Sequence, residues 1–310
     1  MEWLSRNTQF DGFVDIEHKN KTRKKVPTGL KDLDAVLNGG LRVGLHCIGA
    51  VSALGKSTFC IQLMDLMAEQ GQDVIFFSLE MPAADINAKS ISRIMYEIDK
   101  NNASPSDDLH ESAIVAAWSD EKKAVFHKAI KKAASIGANS YVVQANDKPV
   151  SVHDIKDYIE DFVKTTQKTP VVIIDYLQIL AKYNERYTDK QDMDANIAAL
   201  KRIAHKYKTP IILISSLNRA SYLGQVELNS FKESGAIEYT AETVMGLQYQ
   251  DAGSPGFDLK KAADKDVREV ELTILKHRYG PAGVVLPLKY VPKYNSFSVT
   301  TKTKRTKKVY

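Results

Sequence analysis

The sequence is 310 residues long, with 44% apolar residues, 26% charged residues and a formal net charge of +5. This composition is typical of a globular protein with a large core, either one α/β domain with additions or two small domains. The chain has no apolar run of about 18 residues and no apolar leader, which excludes a membrane-spanning helix and a secretory signal. We therefore predict a cytoplasmic protein with no membrane partner.

The two ends of the chain differ from its body. Residues 19–25, KNKTRKK, form a polar and basic run typical of a linker, so we predict a separate N-terminal segment at 1–25 and a body at 26–299. A basic tail at 300–310 follows. Because no acidic residue occurs after Glu271, the basic excess is local, which favours a polyanion such as nucleic acid as partner; a merely solubilising tail is the alternative.

The body opens with a short amphipathic helix in VPTGLKDLDAVLNGG and a buried strand, LHCIG, at 45–49. The next residues, AVSALGKST, match the phosphate-loop pattern G-x-x-x-x-G-K-[ST] except that Ala50 takes the place of the first glycine. A helix is predicted after Lys56 from apolar residues at i, i+4, i+7 and i+8. A match this short can be accidental, but a strand before it and a helix after it favour a functional loop.

In such a loop, backbone N–H groups and a helix N-terminus hold the phosphates, the lysine adds charge and the hydroxyl binds Mg²⁺. We therefore predict ATP and Mg²⁺ as cofactors. The predicted nucleotide-binding residues are Ala50, Gly55, Lys56, Ser57 and Thr58. The chain's cysteines, Cys47 and Cys60, flank the loop at a spacing that fits neither a zinc site nor a disulfide framework, so we predict that they are buried as apolar residues.

Continuous apolar runs of strand length follow at 74–79, 171–174 and 211–214. Together with helices predicted at 84–98, 111–135, 151–166 and 194–207, they indicate a mostly parallel sheet covered on both sides. The runs TVMGLQY and REVELTIL alternate apolar and polar residues, which predicts edge or antiparallel strands with one solvated face. Residues 251–268 are predicted to form an exposed loop or insertion.

Two acidic residues end predicted strands. Asp175 ends VVIID and is expected to hold the Mg²⁺ shell together with Ser57, although it could simply cap the following turn. Glu80 follows FFSL and could orient and deprotonate the attacking water; its alternative role is to start the helix after Pro82.

The stretches SLEMP, IIDYLQIL, SSLNR, ESGAIE and KHRYGPAG follow the loop in this order. This series closely resembles the RecA-like motor domain of the DnaB family of hexameric replicative helicases, and in particular the helicase halves of primase–helicases from mobile elements. The resemblance covers residues 26–299. In that family alanine is common at the first loop position, as at Ala50. The resemblance implies an α/β fold with a RecA-like P-loop NTPase core, flanking helices and antiparallel edge strands.

The resemblance also implies roles for individual residues. Lys56 and Glu80 would be catalytic, as would Lys276 and Arg278, which would reach across a subunit boundary to a neighbour's γ-phosphate. It implies that single-stranded DNA lies in the channel of a ring and that the loop FKESGAIE, at 231–238, contacts it there. The predicted DNA-binding residues are Lys232, Glu233 and Gly235. The segment AKYNERYTDKQ, at 181–191, is a second candidate channel loop.

The sequence also departs from the family pattern. Ser216 replaces the glutamine that the family uses as a γ-phosphate sensor, so coupling of hydrolysis to DNA movement is expected to use other groups. The 25 residues before Val26 have no counterpart of the family's collar domain. The apolar residues of this segment are expected to dock on an adjacent subunit instead; the alternative is that the chain is a fragment or one half of a split system. A primase or a helicase loader is a further possible partner. These docking residues are Trp3, Leu4, Phe10, Phe13 and Val14.

Three functions remain open from the sequence. The first is an ATP-dependent DNA helicase or translocase in a hexameric ring. The second is an ATP-switched RecA-like DNA-binding or assembly module with little unwinding of its own. The third, a recombinase of the RecA or RadA kind, is disfavoured because the chain lacks a cysteine zinc motif and because KHRYGPAG is typical of the helicases.

Overall fold

The computed structural model describes residues 25–145, 148–218, 221–232 and 234–300, and the backbone of 305–306. The predicted N-terminal segment, with its docking residues, and most of the basic tail lie outside these residues. Among the helices that the structure describes, none is both long and apolar enough to cross a bilayer.

The described residues form helices on both faces of one sheet. The helices are α1 (Lys31–Val36), α2 (Lys56–Glu69), α3 (Ala83–Ile98), α4 (Ser112–Ala116), α5 (Asp120–Gly137), α6 (Val152–Thr166), α7 (Asp189–Tyr207), α8 (Ser234–Thr240) and α9 (Leu259–Ala263). The strands are β1 (Gly44–Ala50), β2 (Val74–Ser78), β3 (Ser140–Gln144), β4 (Val171–Asp175), β5 (Pro210–Ser216), β6 (Thr243–Tyr249), β7 (Arg268–His277), β8 (Val284–Val291), β9 (Ser296–Val299) and β10 (Arg305–Thr306).

The sheet has the order β10-β8-β7-β6-β1-β5-β4-β2-β3, and β9 pairs with β8. Strands β6, β1, β5, β4, β2 and β3 run parallel, whereas β7, β8, β9 and β10 are joined by antiparallel pairing. This arrangement confirms the predicted α/β fold with a mostly parallel sheet and antiparallel edge strands. The carboxyl ends of β1, β2, β4 and β5 meet at one edge, where ligands bind in open α/β sheets.

The alternating strands are more buried than the sequence indicates. All seven residues of β6 are buried, and β6 pairs in parallel with β1 rather than lying at an edge. In β7, Glu271 and Thr273 are buried as well. The prediction of one solvated face is therefore wrong for both strands. Two of the buried polar side chains, Gln248 and Glu271, are partners of each other: the Gln248 amide donates to the Glu271 carboxylate and accepts from the Val226 N–H.

Two predicted helices have different bounds. The helix expected at 111–135 is broken into α4 and α5, because the Ser119 hydroxyl accepts from the Lys122 N–H and so starts a new helix. The helix expected at 194–207 begins earlier, at Asp189, where Thr188 and Gln191 form a capping box. Cys47 and Cys60 are free and buried, as predicted.

Candidate nucleotide site

The phosphate loop joins β1 to α2. Gly55 has a φ of +86° and is the N-cap of α2, and the first bond within the helix runs from the Phe59 N–H to the Gly55 carbonyl at 2.8 Å. The N–H groups of Lys56, Ser57 and Thr58 are therefore free of helical partners, and no described side chain caps this helix end. A helix N-terminus in this state attracts anions.

Position 49, just before the phosphate loop, has no room for a side chain, which explains the glycine there. A Cβ on Gly49 would lie 2.4 Å from Cε1 of Phe231 and 2.8 Å from Cδ2 of Leu217. Ala50, in contrast, is the last residue of β1, buried and paired with Ser216 and with β6. Of Ala50, only the backbone is placed to contribute to a nucleotide site.

Two residues on the antiparallel strands β7 and β8 contact the phosphate loop, and neither was predicted from the sequence. Tyr290 contacts Gly55, where an added Cβ would come within 2.8 Å of the tyrosine ring, and its hydroxyl lies close to Thr58. Arg268 donates from Nη1 to the Ala53 carbonyl at 3.1 Å, at a residue with a φ of +60°. Because the Thr58 side chain is buried beside Tyr290, its backbone N–H is the group open to phosphate.

Asp175 lies at the end of β4 and faces the loop. It is 1% exposed, and its carboxylate lies close to the Ser57 hydroxyl. Burial raises the pKa of Asp175 to about 6, against the lowering effects of Ser57 and Lys56, and Glu80 raises it further. Its Oδ1 is buried without a hydrogen-bond partner among the described residues. A cation placed beside Ser57 would therefore stabilise the ionised carboxylate of Asp175.

Glu80 lies two positions after β2, whose last residue, Ser78, pairs with Asp175. The Leu79 N–H donates to the Asp175 carbonyl at 2.9 Å, so the two acid-bearing segments are joined directly. Glu80 itself is exposed. The fold thus brings Lys56, Ser57, Asp175 and Glu80 to one edge of the sheet.

Ser216, at the position where the family uses glutamine, is held through its backbone. Its N–H donates to Oε1 of Gln178 at 3.2 Å, and its carbonyl accepts from the Lys232 N–H at 3.3 Å. The Gln178 amide also donates to the Ser215 hydroxyl at 3.0 Å. Gln178 follows β4 in the IIDYLQIL motif, so it joins the Asp175 segment to the end of β5.

The predicted DNA loop, 231–238, begins at this point, but from residue 234 on it is the first part of α8 and not a loop. Phe231 is buried against Gly49, whereas Lys232 and Gly235 are exposed, and nothing lies within 4 Å of a Cβ added at Gly235. Glu233 lies outside the described residues. The loop is therefore attached to the strand that carries the phosphate loop, while its polar side is accessible.

The second candidate loop, 181–191, carries two tyrosines with stacked rings. Tyr183 and Tyr187 have ring centroids 6.4 Å apart and an interplanar angle of 9°. The end of this segment is already helical, since α7 starts at Asp189.

Lys276 and Arg278 are not near the phosphate loop of their own chain. The Arg278 N–H donates to the Glu242 carbonyl, and the Glu242 N–H donates to the Leu45 carbonyl. Along β1, Leu45 lies about 17 Å before Ala50, at about 3.3 Å per residue. Across the sheet, Arg278 is about 10 Å from β1, which is two strand spacings. No arginine side chain spans that distance, so the basic pair and the loop of one chain form separate sites.

The sequence matches the family model described as the DnaB-like helicase C terminal domain over residues 25–299. The chain belongs to this family. The match confirms the resemblance drawn from the motifs.

Among curated DnaB-family relatives, the replicative DNA helicase DnaB of Geobacillus stearothermophilus is 24% identical over 294 residues, which are 93% of this chain and 59% of that protein. The replicative DNA helicase DnaC of Bacillus subtilis (strain 168) is 25% identical, with the same coverage. The chain thus spans about three fifths of the length of these relatives.

Solved structures of DnaB-like proteins share the fold. The ATPase domain of G40P has a TM-score of 0.76 and 21% identity, covering 96% of this chain and 99% of that one. The structure of a DnaB-like replicative helicase and its interactions with primase has the same score and identity, covering 96% and 67% of the two chains. A KaiC-like protein from Pyrococcus horikoshii OT3 is less similar, with a TM-score of 0.56.

Proposed function

We propose that the protein is an ATP-dependent translocase or helicase that moves along single-stranded DNA as a ring and hydrolyses ATP at its subunit boundaries. One observation carries this proposal. Ala50, where the phosphate loop begins, and the basic pair Lys276 and Arg278 lie about 20 Å apart within one chain by strand geometry. A hydrolysis site that uses both needs a second copy of the chain, and a ring gives every site such a neighbour.

The nucleotide side of the site fits Mg²⁺-ATP. Mg²⁺ usually keeps several waters and takes only one or two protein ligands besides phosphate. The Ser57 hydroxyl and the Asp175 carboxylate, with its unpartnered Oδ1, provide such a pair. When bound, Mg²⁺ would offset the negative charge that develops on the phosphates.

The other residues supply binding, orientation and proton transfer. Lys56 and the N–H groups at the start of α2 would hold the β- and γ-phosphates. Glu80 is exposed beside Asp175 and would orient the attacking water and accept its proton. Arg278 and Lys276 of a neighbouring subunit would stabilise the charge of the transition state, an effect worth about 10³- to 10⁵-fold in NTPases that use an arginine finger.

The DNA contacts are proposed at Lys232, Glu233 and Gly235. Lys232 would neutralise a phosphate, and the open side of Gly235 would let the strand approach the backbone. Contacts of this kind do not read sequence, as a translocating protein requires. Because Phe231 packs on Gly49 and Lys232 bonds to Ser216, movement at the nucleotide site would be passed to this loop.

The ring is proposed to be a hexamer by analogy with the family. A primase or a loader is proposed as a further partner, because one similar structure is described with its interactions with primase. The alternative function, an ATP-switched assembly module, is favoured by Ser216, whose hydroxyl is too short to act as the usual glutamine does.

The test is steady-state ATP hydrolysis with and without single-stranded DNA, at a protein concentration at which rings form. We expect DNA to stimulate the rate at least about tenfold and Lys56→Ala to abolish hydrolysis. Lys232→Ala should lower the stimulation while the basal rate stays unchanged, and Lys260→Ala, an exposed lysine of α9, is the matched control. A rate that does not respond to DNA would favour the assembly module.

A further inference from the structure

Glu242 is a buried acid in the short connection between α8 and β6, and its backbone joins two strands. It is 3% exposed. Its N–H donates to the Leu45 carbonyl of β1 at 2.7 Å, and its carbonyl accepts from the Arg278 N–H at 2.9 Å. The main chain of Glu242 therefore fixes where the segment after β7 leaves the sheet.

The side chain of Glu242 faces Arg278. Its Oε2 lies 3.4 Å from Nε of Arg278 and has no hydrogen-bond partner among the described residues. A buried carboxylate needs a nearby positive charge, so this guanidinium is its charge partner. Gly44 makes the space: its φ is +133°, and a Cβ there would lie 2.5 Å from Cγ of Glu242.

Arg278 is held on one side and open on the other. Its Nη2 donates to the Tyr239 carbonyl at 3.0 Å, while the side chain as a whole is 41% exposed. A guanidinium has five N–H donors in a rigid plane, so two anchoring contacts fix its direction and leave donors for a phosphate.

The same anchor involves α8, whose first residues, 234–238, are the second part of the predicted DNA loop. Lys276 donates from Nζ to the carbonyls of Glu238 and, at 2.7 Å, Ala241, at the C-terminal end of α8. Burial lowers the pKa of Lys276, as does Arg278, while Glu242 raises it. The carboxylate thus stabilises both cations at a helix end whose free carbonyls attract positive charge.

We propose that Glu242 is a positioning residue for hydrolysis in the neighbouring subunit: it holds Arg278 in one direction at the end of α8, the helix whose first residues, 234–238, belong to the predicted DNA loop. The inference rests on the proposed role of Arg278 at a neighbour's nucleotide. It adds a link between that contact and the DNA loop, because a shift of α8 moves the carbonyls that Arg278 and Lys276 hold.

The first test compares Glu242→Gln with Arg278→Ala in DNA-stimulated ATP hydrolysis. Glutamine keeps the size of the side chain and removes its charge, so we expect kcat to fall at least about tenfold with KM for ATP within about twofold of wild type. Glu111→Gln, which removes one exposed charge just before α4, is the control for the loss of one charge and should change kcat less than twofold. The double variant Glu242→Gln/Arg278→Ala should be no slower than Arg278→Ala.

A second test separates positioning from general damage. Glu242→Gln subunits keep an intact phosphate loop, so mixing them with Lys56→Ala subunits, which keep an intact Arg278, should restore hydrolysis. Mixing them with Arg278→Ala subunits should not. Damage to the nucleotide site of Glu242→Gln itself would prevent the first rescue and overturn the inference.

The two proposals can fail separately. Full turnover in Arg278→Ala would refute the contact across the boundary, and with it the proposed function as stated. An inactive Arg278→Ala together with a fully active Glu242→Gln would refute the positioning role alone. If Glu242→Gln does not fold, Glu242→Asp, which keeps the charge but draws it back by one carbon, is scored by the same outcomes.

Discussion

Substituting Gly49 tests whether the phosphate-loop strand and the DNA loop are mechanically joined. In Gly49→Ala the new methyl group would lie 2.4 Å from Cε1 and 2.6 Å from Cζ of Phe231, and 2.8 Å from Leu217. Overpacking of this kind costs about 1–3 kcal/mol. Replacing a strand glycine by alanine gains about 0.5–1 kcal/mol from the backbone. We therefore expect a net loss of up to about 2.5 kcal/mol in the free energy of unfolding.

The assay is urea unfolding of a double-mutant cycle with Phe231→Leu. Leucine lacks the ε and ζ carbons that the new methyl group would meet, so Gly49→Ala should cost less in that background, where only the 2.8 Å contact with Leu217 remains. We expect a coupling of about 1 kcal/mol or more. Gly137→Ala, where nothing lies within 4 Å of the added Cβ, is the matched control and should not destabilise. Equal costs of Gly49→Ala in both backgrounds would refute the contact, and DNA affinity should follow the same pattern.

Other predictions concern acid stability, nucleotide affinity and the basic tail. Burial lowers the pKa of His46 to about 4; because the unfolded state binds the proton first, stability should fall by up to about 3 kcal/mol as pH drops from about 6.5 to 4. His46→Gln should remove this slope, as urea unfolding at several pH values would show. Arg268→Ala should weaken nucleotide binding about tenfold, since it frees the Ala53 carbonyl from a charged donor; unchanged affinity for a fluorescent nucleotide would contradict this. Deleting residues 301–310 should make the plot of log binding constant against log salt concentration less steep, by about 0.7 for each lost phosphate contact. An unchanged slope would exclude the tail from the DNA interface.

The centre of the fold could be predicted because local patterns suffice there. The runs at β1, β2, β4 and β5 are apolar on both faces, and the helix after Lys56 shows its buried face in its spacing. Other strands carry weaker signals: β3 lies at the edge of the sheet and is only partly buried, and β8 contains Pro287 within its run. Their place depends on partners distant in sequence, so the residues themselves do not reveal it.

The candidate site also contains some residues that the sequence predicts and others that it does not. Lys56, Ser57 and Asp175 belong to short motifs whose chemistry can be read directly. Arg268 contacts Ala53 across 215 positions of sequence, and Glu242 matters through Arg278, which the fold alone brings beside it. Similarly, no spacing rule shows that Phe231 packs on the glycine before the phosphate loop.

The central claim is that each nucleotide site is completed by a neighbouring subunit. Lys56→Ala subunits lack a working phosphate loop but keep Arg278, and Arg278→Ala subunits have the opposite defect. In an equal mixture with random assembly, about one interface in four joins an intact loop to an intact arginine. We predict that two variants that are inactive alone regain about a quarter of the wild-type rate of DNA-stimulated ATP hydrolysis when mixed. A mixture no faster than either variant alone would contradict the account.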